Sequence, residues 1–174
     1  MQFESHRAAK AMKIGIIADT HNNIELTRRA IDVFKARKVD LVIHAGDLTS
    51  PKIMELFGQF TCKFVLGNSD IDADVINEKA LKMGFGEVCE YCELEAEGKK
   101  IFVFHGSDVP LFRDIVSSGK YDYIIKGHTH FFENYISNKS RVINPGTLYG
   151  REESTVAVLD TATDRVEKIR IDEE

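Results

Sequence analysis

The sequence predicts a single α/β (α+β) domain in which two mixed β-sheets face each other with helices outside. Three observations point there. Short apolar runs each end in a polar cluster, amphipathic segments separate the early runs, and turn signals join the later ones. The first half therefore reads as a βαβ rhythm with parallel pairing, and the second half as antiparallel hairpins.

Ile14 to Ala18 is the first buried strand, and Asn23 to Arg37 follows as a helix with Ile24, Ala30, Ile31 and Phe34 on one face. Leu41 to Ala45 is the second strand. Ser50 reads as an N-cap with Pro51 at the first helical position, Ile53, Met54 and Phe57 as the buried face, and Gly58 as the stop. Phe64 to Leu66 is the third strand. The segment from Asp70 to Gly86 reads as a long loop with one or two helical turns, long enough to be functional. Val88 to Ala96 and Ile101 to Phe104 flank Glu97-Gly98-Lys99-Lys100 and predict a hairpin. A short helix over Asp108 to Ser118 ends at Gly119. Strands follow at Tyr123 to Ile125, Asn134 to Ser137, Val142 to Ile143, Thr155 to Leu159 and Val166 to Ile171.

A chain of 174 residues, 43% hydrophobic and 29% charged, suits one core, assigned to residues 12–174. Residues 1–11 have no clean period and precede a second methionine, Met12. They are read as an N-terminal extension or cloning scar without order, which removes His6 from the chemistry. No apolar run approaches the roughly 20 residues of a membrane span, and no secretory leader is expected. The formal net charge of -5 argues against a general nucleic-acid surface, although divalent cations would reverse the sign inside a carboxylate-rich site. Three cysteines, an odd number, form no disulfide framework and point to the cytoplasm. Cys89 and Cys92 lack the second pair that a structural zinc requires and are read as residues in or beside a strand.

The chemistry lies at the strand ends. Asp19 and His21 follow the first strand, Gly46-Asp47 the second, Gly67-Asn68 the third, His105-Gly106 the hairpin, and Gly127-His128-Thr129-His130 the strand at Tyr123 to Ile125. Taken singly, Asp-x-His, Gly-Asp and Gly-Asn are ordinary turn sequences. Taken together they place two carboxylates, one amide oxygen and four imidazoles on one rim, because the carboxyl ends of neighbouring strands converge. Seven donors exceed what a single zinc uses and suit two ions sharing a carboxylate. Mixed oxygen and nitrogen ligation without thiolate favours Mn, Fe, Ni, Zn or Co. His44, inside its strand, is read instead as a packed residue or a partner supporting a ligand.

This series, with Ile143-Asn144-Pro145-Gly146-Thr147 after it, resembles the signature of calcineurin-like metallophosphoesterases, and most resembles their small single-domain bacterial and archaeal phosphodiesterases. The resemblance runs from about Met12 to Asp160. It implies a four-layer αββα sandwich. It implies one metal held by Asp19, His21, Asp47 and His130, and a second by Asp47, Asn68, His105 and His128, with Mn the first choice. It also implies hydrolysis of a P–O bond by a hydroxide bridging the metals, with Asp47, Asn68 and His105 catalytic and a small phosphodiester or nucleotide-type substrate. Many members of the wider family carry a His after the Asn to protonate the leaving group; here that residue is Ser69, a far weaker acid. Asp70, metal-bound water or the substrate is the replacement source considered. Arg151 and Arg113 are candidates to grip phosphate, with ordinary surface arginine as the alternative.

Two rival readings accompany the enzyme. A eukaryotic retromer subunit of similar signature implies a protein-interaction scaffold, and a phosphomonoesterase is the third reading. A homodimer is also compatible with the sequence.

Overall fold

The computed structural model describes residues 12–151 and 153–171; the expectation for residues 1–11 lies outside them. Ten strands and four helices follow one another as β1 (Lys13–Ile17), α1 (Ile24–Arg37), β2 (Leu41–His44), α2 (Lys52–Glu55), β3 (Thr61–Phe64), α3 (Ala73–Lys82), β4 (Tyr91–Ala96), β5 (Lys99–Phe104), α4 (Val109–Ser118), β6 (Tyr123–Ile125), β7 (Phe132–Ser137), β8 (Ser140–Pro145), β9 (Thr155–Asp160) and β10 (Arg165–Arg170). They form two five-stranded sheets, ordered β10-β9-β1-β2-β3 and β4-β5-β6-β8-β7. Both are mixed: β1, β2 and β3 pair in parallel while β9 joins β1 antiparallel, and β5, β6 and β8 pair in parallel between antiparallel edges.

Three apolar layers account for the stacking. Ile14, Ile16, Ile43, Val103, Ile125 and Ile143 meet in one cluster between the sheets. On the far side of the first sheet, Leu26, Ala30, Phe34, Met54, Phe57, Ile76 and Ala80 pack its other face under α1, α2 and α3. On the far side of the second, Phe102, Phe104, Ile124 and Val142 are covered by Leu111, Phe112, Ile115 and Val116 of α4. A strand residue faces one side and its neighbour the other, so three layers require two sheets between two helical coats. This is the four-layer αββα sandwich.

Local chemistry sets most boundaries. Asn23 caps α1 by accepting from the Leu26 N–H at 3.1 Å, and Asp108 caps α4 by accepting from Leu111 at 2.9 Å. Gly119 closes α4 in the left-handed conformation at φ 58°. In β1, Gly15 leaves space for the Phe34 ring, which lies 3.0 Å from where a Cβ would stand.

Several boundaries differ from the sequence reading. The third strand is Thr61–Phe64 rather than 64–66, because Leu41–His44 pairs it residue for residue in that register; Val65 makes only an isolated bridge to Cys89. Its edge position leaves Thr61 and Lys63 exposed, which hid the strand from an apolar search. Residues 70–86 contain a ten-residue helix, α3, which buries only Ile76 and Ala80. The first hairpin strand starts at Tyr91, and the strand read at 142–143 extends over Ser140–Pro145. In α2 the capping position is Pro51 without a side-chain bond, although the Ser50 hydroxyl accepts from the Lys52 N–H at 3.3 Å. Cys92 lies in β4 and Cys89 just before it, both as free thiols.

Phe34 is fully buried between α1 and the first sheet. Phe34→Ala is expected to lower unfolding stability by about 3–5 kcal/mol, measured as a shift in the urea midpoint with an unchanged slope.

Candidate metal centre

The first sheet delivers its residues through turns that run side by side. The Asp19, His21 and Asn22 N–H groups donate to the Gly46, Asp47 and Leu48 carbonyls, each at 3.0 Å, so the loops after β1 and β2 continue the pairing of the strands. Asp19, His21, Asp47, His128 and His130 all have positive φ, between 43° and 72°. That region is poor for L-residues but best tolerated by Asn, Asp and His. The turns persist because their backbone groups are engaged. Asp19 holds His128 by accepting its N–H at 3.0 Å, and the Asp19 carbonyl accepts from Leu148 N–H and Thr147 Oγ1.

Five of the residues read as ligands, Asp19, His21, Asp47, His105 and His130, bring donor atoms together, and Asn68 and His128 lie beside His105. Asp47 lies between two imidazoles: its Oδ2 is 3.5 Å from His21 Nε2 and its Oδ1 3.4 Å from His105 Nε2. Asp19 Oδ1 is 3.3 Å from His130 Nε2 and 3.9 Å from both His21 and His105 Nε2. Two donor groups result, Asp19 with His21 and His130, and Asp19 with Asp47 and His105, the ligand atoms within each lying inside 4.8 Å of one another. The ring of His128, an exposed residue, stands 5.2 Å from that of His105, and Asn68 lines the same cavity as His105.

The electron pairs show what the rim suits. Nδ1 of His105 lies 2.8 Å from the Ala45 carbonyl, an acceptor, so in the neutral ring Nδ1 carries the hydrogen and Nε2 presents a lone pair. That lone pair faces the carboxylate oxygens of Asp47 and Asp19. Asp19 Oδ1, His21 Nε2 and His105 Nε2 are buried without a hydrogen-bond partner among the described residues. Converging lone pairs repel one another unless a proton or a metal cation lies between them, and two close groups of carboxylate and imidazole donors fit divalent metal. The carbonyl behind His105 also fixes its tautomer, as supporting partners of metal-bound imidazoles do.

The same crowding shifts the titration of these groups. Burial lifts the Asp19 carboxyl to about 6, against the opposing pull of His105 and His130. Burial likewise works to raise Asp47, but the His105 imidazole and the Ser69 N–H and hydroxyl hold it well below the usual carboxylate range. Burial acts to lower His105, yet the carboxylates of Asp47 and Asp19 keep it above the ordinary imidazole value.

Supporting residues stand close to the ligands in sequence or in the late Asn-Pro-Gly turn, and their partners are set by the fold. The Ser69 N–H donates to Asp47 Oδ1 at 2.8 Å and its hydroxyl lies 2.9 Å from Oδ2, so this serine orients a ligand. Asp70, the candidate acid, accepts from three backbone N–H groups, those of Asp47, Thr49 and Gly67, at 2.7–2.9 Å. Its carboxylate ties the second turn to the third. His44 is buried; its Nδ1 accepts from the Gly46 N–H at 3.3 Å, its Nε2 lies 3.1 Å from Thr20 Oγ1, and burial lowers its pKa to about 3. It is a neutral prop for the Gly46-Asp47 turn, one of the two roles read for it. Asn144 of the Asn-Pro-Gly turn donates to the Gly127 carbonyl and to Thr129 Oγ1, securing the loop of His128 and His130. Tyr149 packs 4.4 Å from His21 between ring centroids, and Arg151 lies 4.7 Å over Tyr149. Arg113 is exposed on α4 and is not among the residues lining the cavity.

Residues 12–164 match the calcineurin-like phosphoesterase superfamily domain. The chain belongs to that superfamily. It is 32% identical over 157 residues to a phosphodiesterase of Methanocaldococcus jannaschii, a match covering 86% of this chain and 93% of the relative. A solved archaeal phosphodiesterase superposes with a TM-score of 0.81 at 30% identity, over 91% of this chain and 99% of that one. The vacuolar protein sorting 29 protein of Cryptosporidium parvum shares the fold alone, with a TM-score of 0.64 at 18% identity over 92% of this chain and 96% of that one.

At Gly67 an added Cβ would stand 2.1 Å from Asp47 Oδ1 and 2.4 Å from its backbone nitrogen. Gly67→Ala is therefore expected to displace Asp47 and weaken divalent-metal binding by about 10–100-fold, read by isothermal titration calorimetry. An unchanged affinity would show that Asp47 does not hold the ion. Asp70→Ala strands three backbone donors, and a loss of about 2–4 kcal/mol in unfolding stability is expected, measured by urea denaturation without metal.

Proposed function

We propose that this superfamily member is a phosphodiesterase that works with two divalent ions, Mn foremost, on a small phosphodiester. The observation that carries the reading is Asp47. Its two carboxylate oxygens face different imidazoles, His21 and His105, at nearly equal distances, as expected of a bridging ligand. One ion would use Asp19, His21, Asp47 and His130, and the other Asp47, Asn68, His105 and His128. Ions held there would neutralise phosphate oxygens and bring the pKa of a bound water toward neutrality.

The chain's own residues do the remaining work. Ser69 and the β2 turn keep Asp47 oriented, and Asp70 acts by positioning these turns, since its oxygens are already engaged by backbone N–H groups. Breaking the P–O bond leaves an alkoxide that needs a proton. With Ser69 in place of a histidine acid, good leaving groups are favoured. Arg151, stacked on Tyr149 beside His21, is suited to meet a phosphate oxygen from the first-ion side. The relatives named phosphodiesterases support diesters over monoesters. No helix among the described residues is long and apolar enough to cross a membrane, and we place the protein in the cytoplasm on its reduced cysteines.

A protein-scaffold role is the competing reading. It is disfavoured because Asp19 Oδ1, His21 Nε2 and His105 Nε2 are buried together without a hydrogen-bond partner among the described residues, as suits a metal site. Hydrolysis of bis-p-nitrophenyl phosphate should require added Mn, exceed that of p-nitrophenyl phosphate, and fall at least about 100-fold in Asp47→Asn. Release of nitrophenol that is indifferent to Mn and to Asp47 would return the scaffold reading to first place.

A further inference from the structure

A cavity of about 410 Å³ opens at the His105 end of the centre, within the size range of small-ligand sites. Leu66, Phe104 and Leu111 provide apolar wall, Glu90 and Asp108 provide carboxylates, and neither Lys nor Arg is among the lining residues. Asn68 and His105 belong to both the cavity and the rim. His105 is 3% exposed, and its Nε2 is one of the partnerless atoms. The cavity is thus continuous with the place where the phosphate would sit.

The two flanks of the centre differ in sign. On the His21 side stands the guanidinium of Arg151 over Tyr149. On the His105 side, Asp70 has its charge compensated by three N–H groups, whereas Asp108 accepts from Leu111 through Oδ1, and Glu90 lines the cavity with no ion pair among the described residues. A phosphodiester carries one charge at phosphorus and two ester groups, one of which must point to this side. An anionic group there meets two carboxylates, and an uncharged or cationic group with some apolar surface does not.

We infer that this cavity receives one ester group of the diester and selects uncharged or cationic groups over anionic ones, an inference that rests on the phosphodiesterase reading above. Glu90 and Asp108 are the specificity determinants, and phosphate-bearing ester groups such as nucleotide chains are disfavoured there.

The test, made in an Arg151→Ala background so that the other flank carries no opposing charge, is competitive inhibition of Mn-dependent bis-p-nitrophenyl phosphate hydrolysis by three symmetric diesters, which present the same group in either orientation: bis(2-trimethylammonioethyl), diethyl and bis(2-carboxyethyl) phosphate. Inhibition constants should rise in that order, with the cationic and anionic compounds differing by about tenfold or more. The ratio should collapse or invert in Glu90→Lys and shrink in Asp108→Asn, which keeps the helix cap. In metal-free protein, tetramethylammonium but not acetate should shift the amide resonances of Glu90 and Leu111. Inhibition blind to the sign of the ester group, or a ratio that survives Glu90→Lys, overturns the cavity assignment while the phosphodiesterase reading stands. Absence of any Mn-dependent hydrolysis overturns both.

Discussion

The organising constraint is electrostatic: Asp19 Oδ1, His21 Nε2 and His105 Nε2 are buried close together without a hydrogen-bond partner among the described residues. Such an arrangement is unfavourable in an apoprotein, where burial disfavours the charged carboxylate and neighbouring electron pairs repel. A divalent ion reverses the sign of each of these terms. The fold therefore has to hold the donors close together against their own repulsion, and much of the surrounding structure is legible as the means of doing so.

Those means are local. Ligand turns adopt left-handed backbone conformations that cost roughly 1–2 kcal/mol per residue. Cross-turn hydrogen bonds from Asp19, His21 and Asn22 offset that cost, as does the Asp70 carboxylate with its three N–H partners. Glycine is required where two turns touch. Gly67 lies against Asp47, and Gly127 leaves only 2.6 Å between Asp19 Oδ2 and the place a Cβ would take. Behind these turns stand neutral His44 and the doubly donating Asn144, each fixing one ligand loop without reaching an ion. Rigidity at the rim thus comes from polar groups, while the apolar layers fix the two sheets that carry them.

Function follows from having a fixed centre between unlike flanks. Two sheets bring their strand ends together, so ligands come from both halves of the chain. The arginine-bearing loop then lies beside His21 and the acidic cavity beside His105.

The candidate ligands were legible in the sequence because each follows an apolar run, and polar residues at strand ends keep their meaning without knowledge of neighbours. The two-sheet architecture was legible for a similar reason: parallel and antiparallel connections leave different spacings. The edge strand at Thr61–Phe64 and the helix at Ala73–Lys82 were not, since one has an exposed face and the other buries only two residues, so neither shows a strong apolar period. Tertiary structure alone decided that Ser69 orients Asp47, that Asp70 ties two turns together, and that an acidic cavity adjoins His105. Those roles depend on which hydrogen bonds close across gaps of about twenty residues or more in sequence, and distance in space is a property that composition and period do not encode.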